Sequence, residues 1–161
     1  MDAGDLEVLY QRHRQGLFSL ALSITRCAES AEDAVQEAFT RLCRPTIRPC
    51  GDAAAFVYAA VRNAALDNRR RQGSALRIAA GLFNGSNSSG QEIVADQERD
   101  ERIRKSVEGL PEELQDAVLL RVFSGLTFEQ MAQALDVPLS TAASRYHRAM
   151  EVLAVELRDF A

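Results

Sequence analysis

Residues Leu126 to Leu157 constrain the fold more than any other stretch, because they read as two short helices joined by a tight turn. Thr127 and Gln130 have capping-box spacing, and Leu126 and Met131 have the spacing of a hydrophobic staple. Phe128, Met131, Ala132 and Leu135 then recur at i, i+3, i+4 and i+7, one apolar stripe about two turns long. Asp136-Val137-Pro138 ends that helix, since the residue before a proline is pushed out of the α region. A second helix, starting at about Pro138–Ser140, buries Ala142, Tyr146, Ala149, Leu153 and Leu157. Its outer face keeps Thr141, Ser144, Arg145 and Arg148 together. Small donors and guanidinium forks at the start of a second helix are what the DNA major groove requires. The alternative is an ordinary αα-hairpin with a solvated face.

Charge complicates the DNA reading. The net charge of the 161 residues is −4, with 47% hydrophobic and 26% charged residues, the balance of a folded globular protein. Residues 1–72 carry ten Arg against nine acids, and residues 110–161 carry four Arg against eight acids. Such a chain gains little from non-specific phosphate attraction, so something else must hold it at its site. No apolar run approaches the roughly 20 residues of a membrane span, and the acidic Met1-Asp2-Ala3-Gly4-Asp5 has no signal core. Membrane insertion is not expected, and a cytoplasmic location is. Cys27, Cys43 and Cys50, an odd number without a signal, fit reduced thiols. No spacing suits a metal, and neither metal nor cofactor is expected.

The chain divides into residues 1–72, a flexible linker at 73–106 and a C-terminal part at 107–161. The linker assignment rests on Gly73, Gly81 and the run Asn84-Gly85-Ser86-Asn87-Ser88-Ser89-Gly90, with a short apolar cluster (Leu76, Ile78, Leu82, Phe83) before it. No strand signal is found. The fold class is therefore all-α, two small helical domains joined by a linker, the second containing the helix-turn-helix.

In the first part, Leu6, Leu9, Tyr10, His13, Leu17, Leu20, Ala21 and Ile24 form one long apolar stripe, on which His13 reads as a satisfied, partly buried histidine. A second helix opens near Ser30, with Glu32 and Asp33 complementing its dipole. Val35, Ala38, Phe39 and Leu42 point inward, and Asp33, Gln36, Glu37 and Thr40 lie on the other side. The loop Arg44–Asp52 contains Pro45, Pro49 and Gly51, which forbid helix. A third helix, about Ala53 to Gln72, buries Phe56, Val57, Ala60, Val61 and Ala64. It ends on Arg69-Arg70-Arg71, partly explained by dipole compensation. Together with Arg62 and Asn63, that run also suits single-stranded nucleic acid.

Ala31-Glu32-Asp33-Ala34-Val35-Gln36-Glu37-Ala38-Phe39 resembles the A-E-D-x-x-Q-E-x-F signature of bacterial sigma factors of the extracytoplasmic-function group. Phe56-Val57-Tyr58, Arg62-Asn63, Asp67 and Arg70 resemble the block that follows it in that family. Leu110-Pro111-Glu112-Glu113, Gly125-Leu126-Thr127 and Val137-Pro138…Thr141…Ser144-Arg145…Arg148-Ala149 match the family's C-terminal domain in order and spacing. The similarity spans nearly the whole chain apart from the linker. It implies a protein carried to promoters by core RNA polymerase, with Asp33, Gln36 and Glu37 docking on the clamp of the largest subunit and a further contact to the flap of the second-largest. The rigid loop with Arg48, and Arg62, Asn63 and Arg70, would recognise and melt the minus-ten element. Thr141, Ser144, Arg145, His147 and Arg148 would read the minus-thirty-five element. Two weak DNA contacts tethered to one large enzyme gain by effective concentration, which accounts for the low charge. An anti-sigma factor is a further candidate partner.

The chain departs from the family at three places. Phe56 stands where Trp is usual, Ala143 replaces a common Lys or Arg, and Met150 replaces a common Arg, leaving fewer phosphate contacts on the recognition helix. Two other readings are a stand-alone helix-turn-helix regulator and a sigma-like interaction module without initiation activity. A free-standing repressor should be basic and carry a dimerisation helix, and neither is evident. No paired carboxylates, Cys/His set or phosphate loop suggests an enzyme.

Overall fold

The computed structural model describes residues 1–79 and 95–158, and these are helical almost throughout. Helix α1 (Ala3–Thr25), α2 (Ala28–Leu42) and α3 (Ala53–Ala79) form the N-terminal unit. The C-terminal unit comprises α4 (Ala95–Glu108), α5 (Glu112–Val118), α6 (Phe128–Leu135) and α7 (Leu139–Arg158). Helix α5 runs directly into one π turn, Leu119–Phe123.

The first unit closes on small side chains. Ala31, Ala34 and Ala38 of α2, and Ala55, Ala64 and Ala65 of α3, are fully buried against Leu17, Leu20 and Ala21 of α1. Alanine at each crossing lets the helix axes approach, and the larger Val57, Tyr58 and Val61 fill the remaining space. The stripes differ from expectation in detail: Tyr10, on the stripe of α1, is exposed, Phe56 and Ala60, on that of α3, are only half-buried, and Tyr58, outside it, is buried. Tyr10 meets Phe39 edge-on at 5.2 Å, while Tyr58 is among the largest fully buried side chains. The stripe of α3 is broader than a two-position count allows, because α3 is covered by α1 and α2 on one side and by α6 on another.

The helix expected to end near Gln72 continues to Ala79. A lone glycine costs a helix about 1 kcal/mol relative to alanine, and Ala75, Leu76 and Arg77 after Gly73 are good helix formers. Residues 95–106, which composition places in the linker, are helical as well, forming most of α4. Arg104 pairs there with Glu101 at i−3 and Glu108 at i+4. The glycine- and serine-rich run and Leu82-Phe83 lie outside the described residues.

The helix-turn-helix follows the local signals. Thr127 Oγ1 accepts from Gln130 N at 3.1 Å and Gln130 Oε1 accepts from Thr127 N at 2.9 Å, so the capping box is complete. Leu126 and Met131 are both buried, as a staple requires. Helix α6 ends at Asp136 in the left-handed region (φ 54°), which turns the chain before Pro138 has any effect. The π turn was not foreseen. Its wide winding carries Val122 and Phe123 outward, and Arg121 folds back to donate to Leu126 O at 2.8 Å.

The two units are in contact. Helix α6 packs on α3 and the π turn on α1, and one apolar cluster runs from Leu17 and Val61 through Leu120, Met131 and Leu135. A second cluster (Val107, Leu110, Leu114, Val118, Ala149, Leu153) belongs to the C-terminal unit alone.

Candidate nucleic-acid interface

Burial of Ala34, Val35, Ala38 and Leu42 fixes the roll of α2 and leaves Asp33 and Gln36 exposed on its far side. Glu37 is half-buried, paired with Arg41 one turn on and with Arg71 of α3 at 3.1 Å. Beside Gln36 lies a groove of about 480 Å³ between α1 and α2, lined by Leu6, Tyr10, Val35 and Phe39 with Thr40 at its rim. A polar helical face flanking an open apolar groove suits a protein partner better than a polyanion.

The face of α3 is different in kind. Asn63 is exposed, Arg62 is half-buried, and Arg70 lies 3.9 Å from Asp67 one turn back. Arg62 Nε donates to Asp116 Oδ2 of α5 at 3.0 Å, so this guanidinium points into the seam between the units. The loop ahead of α3 keeps Arg48 exposed. Asp52 caps α3 by accepting from Ala55 N at 2.9 Å. Gly51 (φ +76°) makes the turn into that cap, in a conformation that favours glycine.

On α7, burial of Ala142, Ala149 and Leu153 orients Ser144, His147 and Arg148 to solvent, with Thr141 partly exposed. Arg145 is also partly exposed, but it turns back to Glu113 of α5 at 3.3 Å. His147 stands 6.0 Å from the Phe128 ring and 5.7 Å from the Tyr146 ring, which ties the two helices of the motif together. Ala143, partly exposed, adds no charge beside Ser144.

Three groups with shifted titration, His13, Tyr58 and Asp116, lie around the seam. Burial lowers the His13 imidazole, Arg12 lowers it further, and Asp52 opposes them. The Tyr58 hydroxyl is 3.3 Å from His13 Nδ1, and burial raises its own pKa. Burial raises the Asp116 carboxyl more than Arg62 lowers it. Among cysteines, hydrogen bonding from Ser30 lowers the exposed Cys27.

Three side chains that the sequence reading left without a role meet these candidates. Asp116 holds Arg62, Glu112 holds Arg69, and Gln133 of α6 bonds the loop at Cys50 and Asp52. Sequence spacing within α5 puts Glu112 and Asp116 on one face. Their partners are more than forty residues away, and no local pattern names them.

Comparison with known proteins assigns both units. Residues 9–75 match the Sigma-70 region 2 family, and residues 100–153 match the Sigma-70 region 4 family. The RNA polymerase sigma-H factor of Pseudomonas aeruginosa is 29% identical over 164 residues, covering 94% of this chain and 84% of the relative. The ECF RNA polymerase sigma-E factor of Escherichia coli K12 is 28% identical over 167 residues, covering 94% and 86%. Among solved structures, the sigma factor RpoE from Bartonella quintana, in complex with the anti-sigma factor NepR, superposes with a TM-score of 0.71 at 20% identity, covering 96% of this chain and 95% of that one. CnrH, in complex with the cytosolic domain of CnrY, gives 0.68 at 18% identity, covering 99% and 92%. With region 2 and region 4 present in order and relatives aligned over nearly the full chain, the protein belongs to the extracytoplasmic-function group of bacterial RNA polymerase sigma factors.

Proposed function

We propose that this chain binds core RNA polymerase through α2, directs it to a class of promoters through α3 and α7, and thereby starts transcription. It is an alternative sigma factor, a transcription initiation factor rather than a catalyst in its own right. The observation that carries this reading is the ordered pair of matched units, region 2 at residues 9–75 and region 4 at 100–153. The roles follow from side-chain chemistry. Asp33 and Gln36, with Glu37 behind them, present carbonyl and carboxylate acceptors to the polymerase clamp, and the adjoining groove between α1 and α2 offers an apolar seat. The flap of the second-largest subunit meets the C-terminal unit. Asn63 carries both a donor and an acceptor, enough to pair with the edge of one unstacked base, while Arg48, Arg62 and Arg70 hold the backbone. On α7, Ser144 and Arg148 face the major groove with Thr141, Arg145 and His147 around them. An anti-sigma factor is a further partner in this reading, supported by the superposed RpoE structure, which is such a complex.

The test is transcription in vitro with core polymerase and a promoter library. The unmodified chain should select a promoter class. Asn63→Ala should lower open-complex formation and relax preference at one downstream position. Asp33→Lys should abolish co-purification with core enzyme while helicity stays intact. Co-purification without selective transcription would leave only an interaction module.

A further inference from the structure

We infer that α5 acts as an internal substitute for the DNA backbone, holding the free chain closed with Arg62 and Arg145 of the promoter-reading helices, and the neighbouring Arg69, engaged until partners open it. The inference rests on the promoter contacts proposed for α3 and α7. Three acidic residues of one short helix, Glu112, Glu113 and Asp116, take arginines from both of those helices. Asp116 accepts from Arg62 at 3.0 Å, Glu112 lies 3.0 Å from Arg69, and Glu113 lies 3.3 Å from Arg145. The first two pairs run antiparallel, the higher number on α5 meeting the lower on α3. A carboxylate at each arginine supplies the charge that a phosphate would supply, and it repels a phosphate approaching the same place.

The closure is built at other points as well. The Gln133 side chain accepts from Asp52 N at 2.9 Å and donates to Cys50 O at 2.8 Å, so the end of α6 grips the loop that precedes α3. Glycines stand at two tight points of this seam. A Cβ on Gly51 would sit 2.7 Å from the Gln133 amide, and one on Gly16 would sit 2.7 Å from Ser124 Oγ and against the Tyr58 hydroxyl. The side chain of Asp116 is 3% exposed, and its burial is only partly offset by Arg62. A buried pair of this kind contributes little net stability, because desolvation cancels much of the attraction. Opening returns both groups to water, so the contact can hold the units together and still yield to a competing partner.

A closed state populated about nine-tenths of the time weakens apparent DNA affinity about tenfold, because only the open fraction binds. The full chain and its Glu112→Gln/Asp116→Asn/Gln133→Ala variant are therefore compared without polymerase. Circular dichroism measures helicity, small-angle X-ray scattering measures the radius of gyration, and anisotropy measures binding to a random-sequence single-stranded oligonucleotide pool. The variant should keep its helicity, expand, and bind the pool about tenfold more tightly. A helical variant with unchanged radius or unchanged affinity overturns the inference. Should the triple variant lose helicity, Gln133→Ala alone, at an exposed side chain, must still raise affinity, and no rise overturns the inference equally. Dependence of transcription on Asn63 with core polymerase is measured separately. That result alone decides the underlying promoter reading, so the two failures are distinguishable.

Discussion

His13 shows how a single side chain reports the packing around it. Its position on the apolar stripe of α1 was readable from the sequence, and its partner was not. Tyr58 comes from α3, 45 residues on, and the two rings meet edge-on at 5.5 Å. Burial and Arg12 both disfavour the imidazolium, so the folded state holds the proton less tightly than the unfolded chain does. The neutral ring is therefore the stabilising form. Its contribution is present above the unfolded value of 6.5 and is lost as the pH falls through the lower folded value. Nuclear magnetic resonance titration of His13 should give a midpoint below 6.5, and melting temperature should fall on acidification across that range more in the parent than in His13→Gln. A midpoint at or above 6.5 would mean that the ring is solvated.

At the scale of elements, what was legible depended on how local the causes are. Helix α6 was read from four or five neighbouring residues, and the structure reproduces the capping box, the staple and the break before Pro138. The end of α3 and the start of α4 have the glycine content and charge of a linker, yet Gly73 sits inside an otherwise strong helical run and α4 begins at Ala95. The π turn, whose Leu119 and Leu120 are buried against other elements, has no signal in a sequence window. The capping box permits a quantitative check. Thr127→Ala removes the hydroxyl that accepts from Gln130 N, which costs about 1 kcal/mol. Thermal or denaturant unfolding should show a loss of that order. Because α6 also carries Gln133, the variant should weaken the grip on the loop at Cys50 and Asp52 as well.

For the whole molecule, the arrangement of charge explains what net charge alone left open. A total of −4 excludes a protein held on DNA by general attraction, yet both candidate reading helices carry arginines. The carboxylates of α5 lie against Arg62, Arg69 and Arg145, so the basic groups are locally neutralised where the units meet. Sequence could count these charges but could not pair them, since each pairing depends on how α5 lies against α3 and α7. In the proposed promoter complex, tethering to core polymerase replaces intrinsic affinity by effective concentration, so that α7 would need few phosphate contacts. Ala143, partly exposed beside Ser144, is the position where a contact can be added. Ala143→Arg should therefore raise affinity of the full chain for duplex DNA of all sequences alike and steepen the logarithmic salt dependence by about one phosphate contact. Arg148→Ala should do something different, relaxing preference at one base position, where a bidentate arginine–guanine pair contributes about 1–3 kcal/mol of discrimination. Binding measured over a salt series on a small library of duplexes separates the two effects. If Ala143→Arg leaves the slope unchanged and Arg148→Ala leaves the preference unchanged, α7 does not enter the groove.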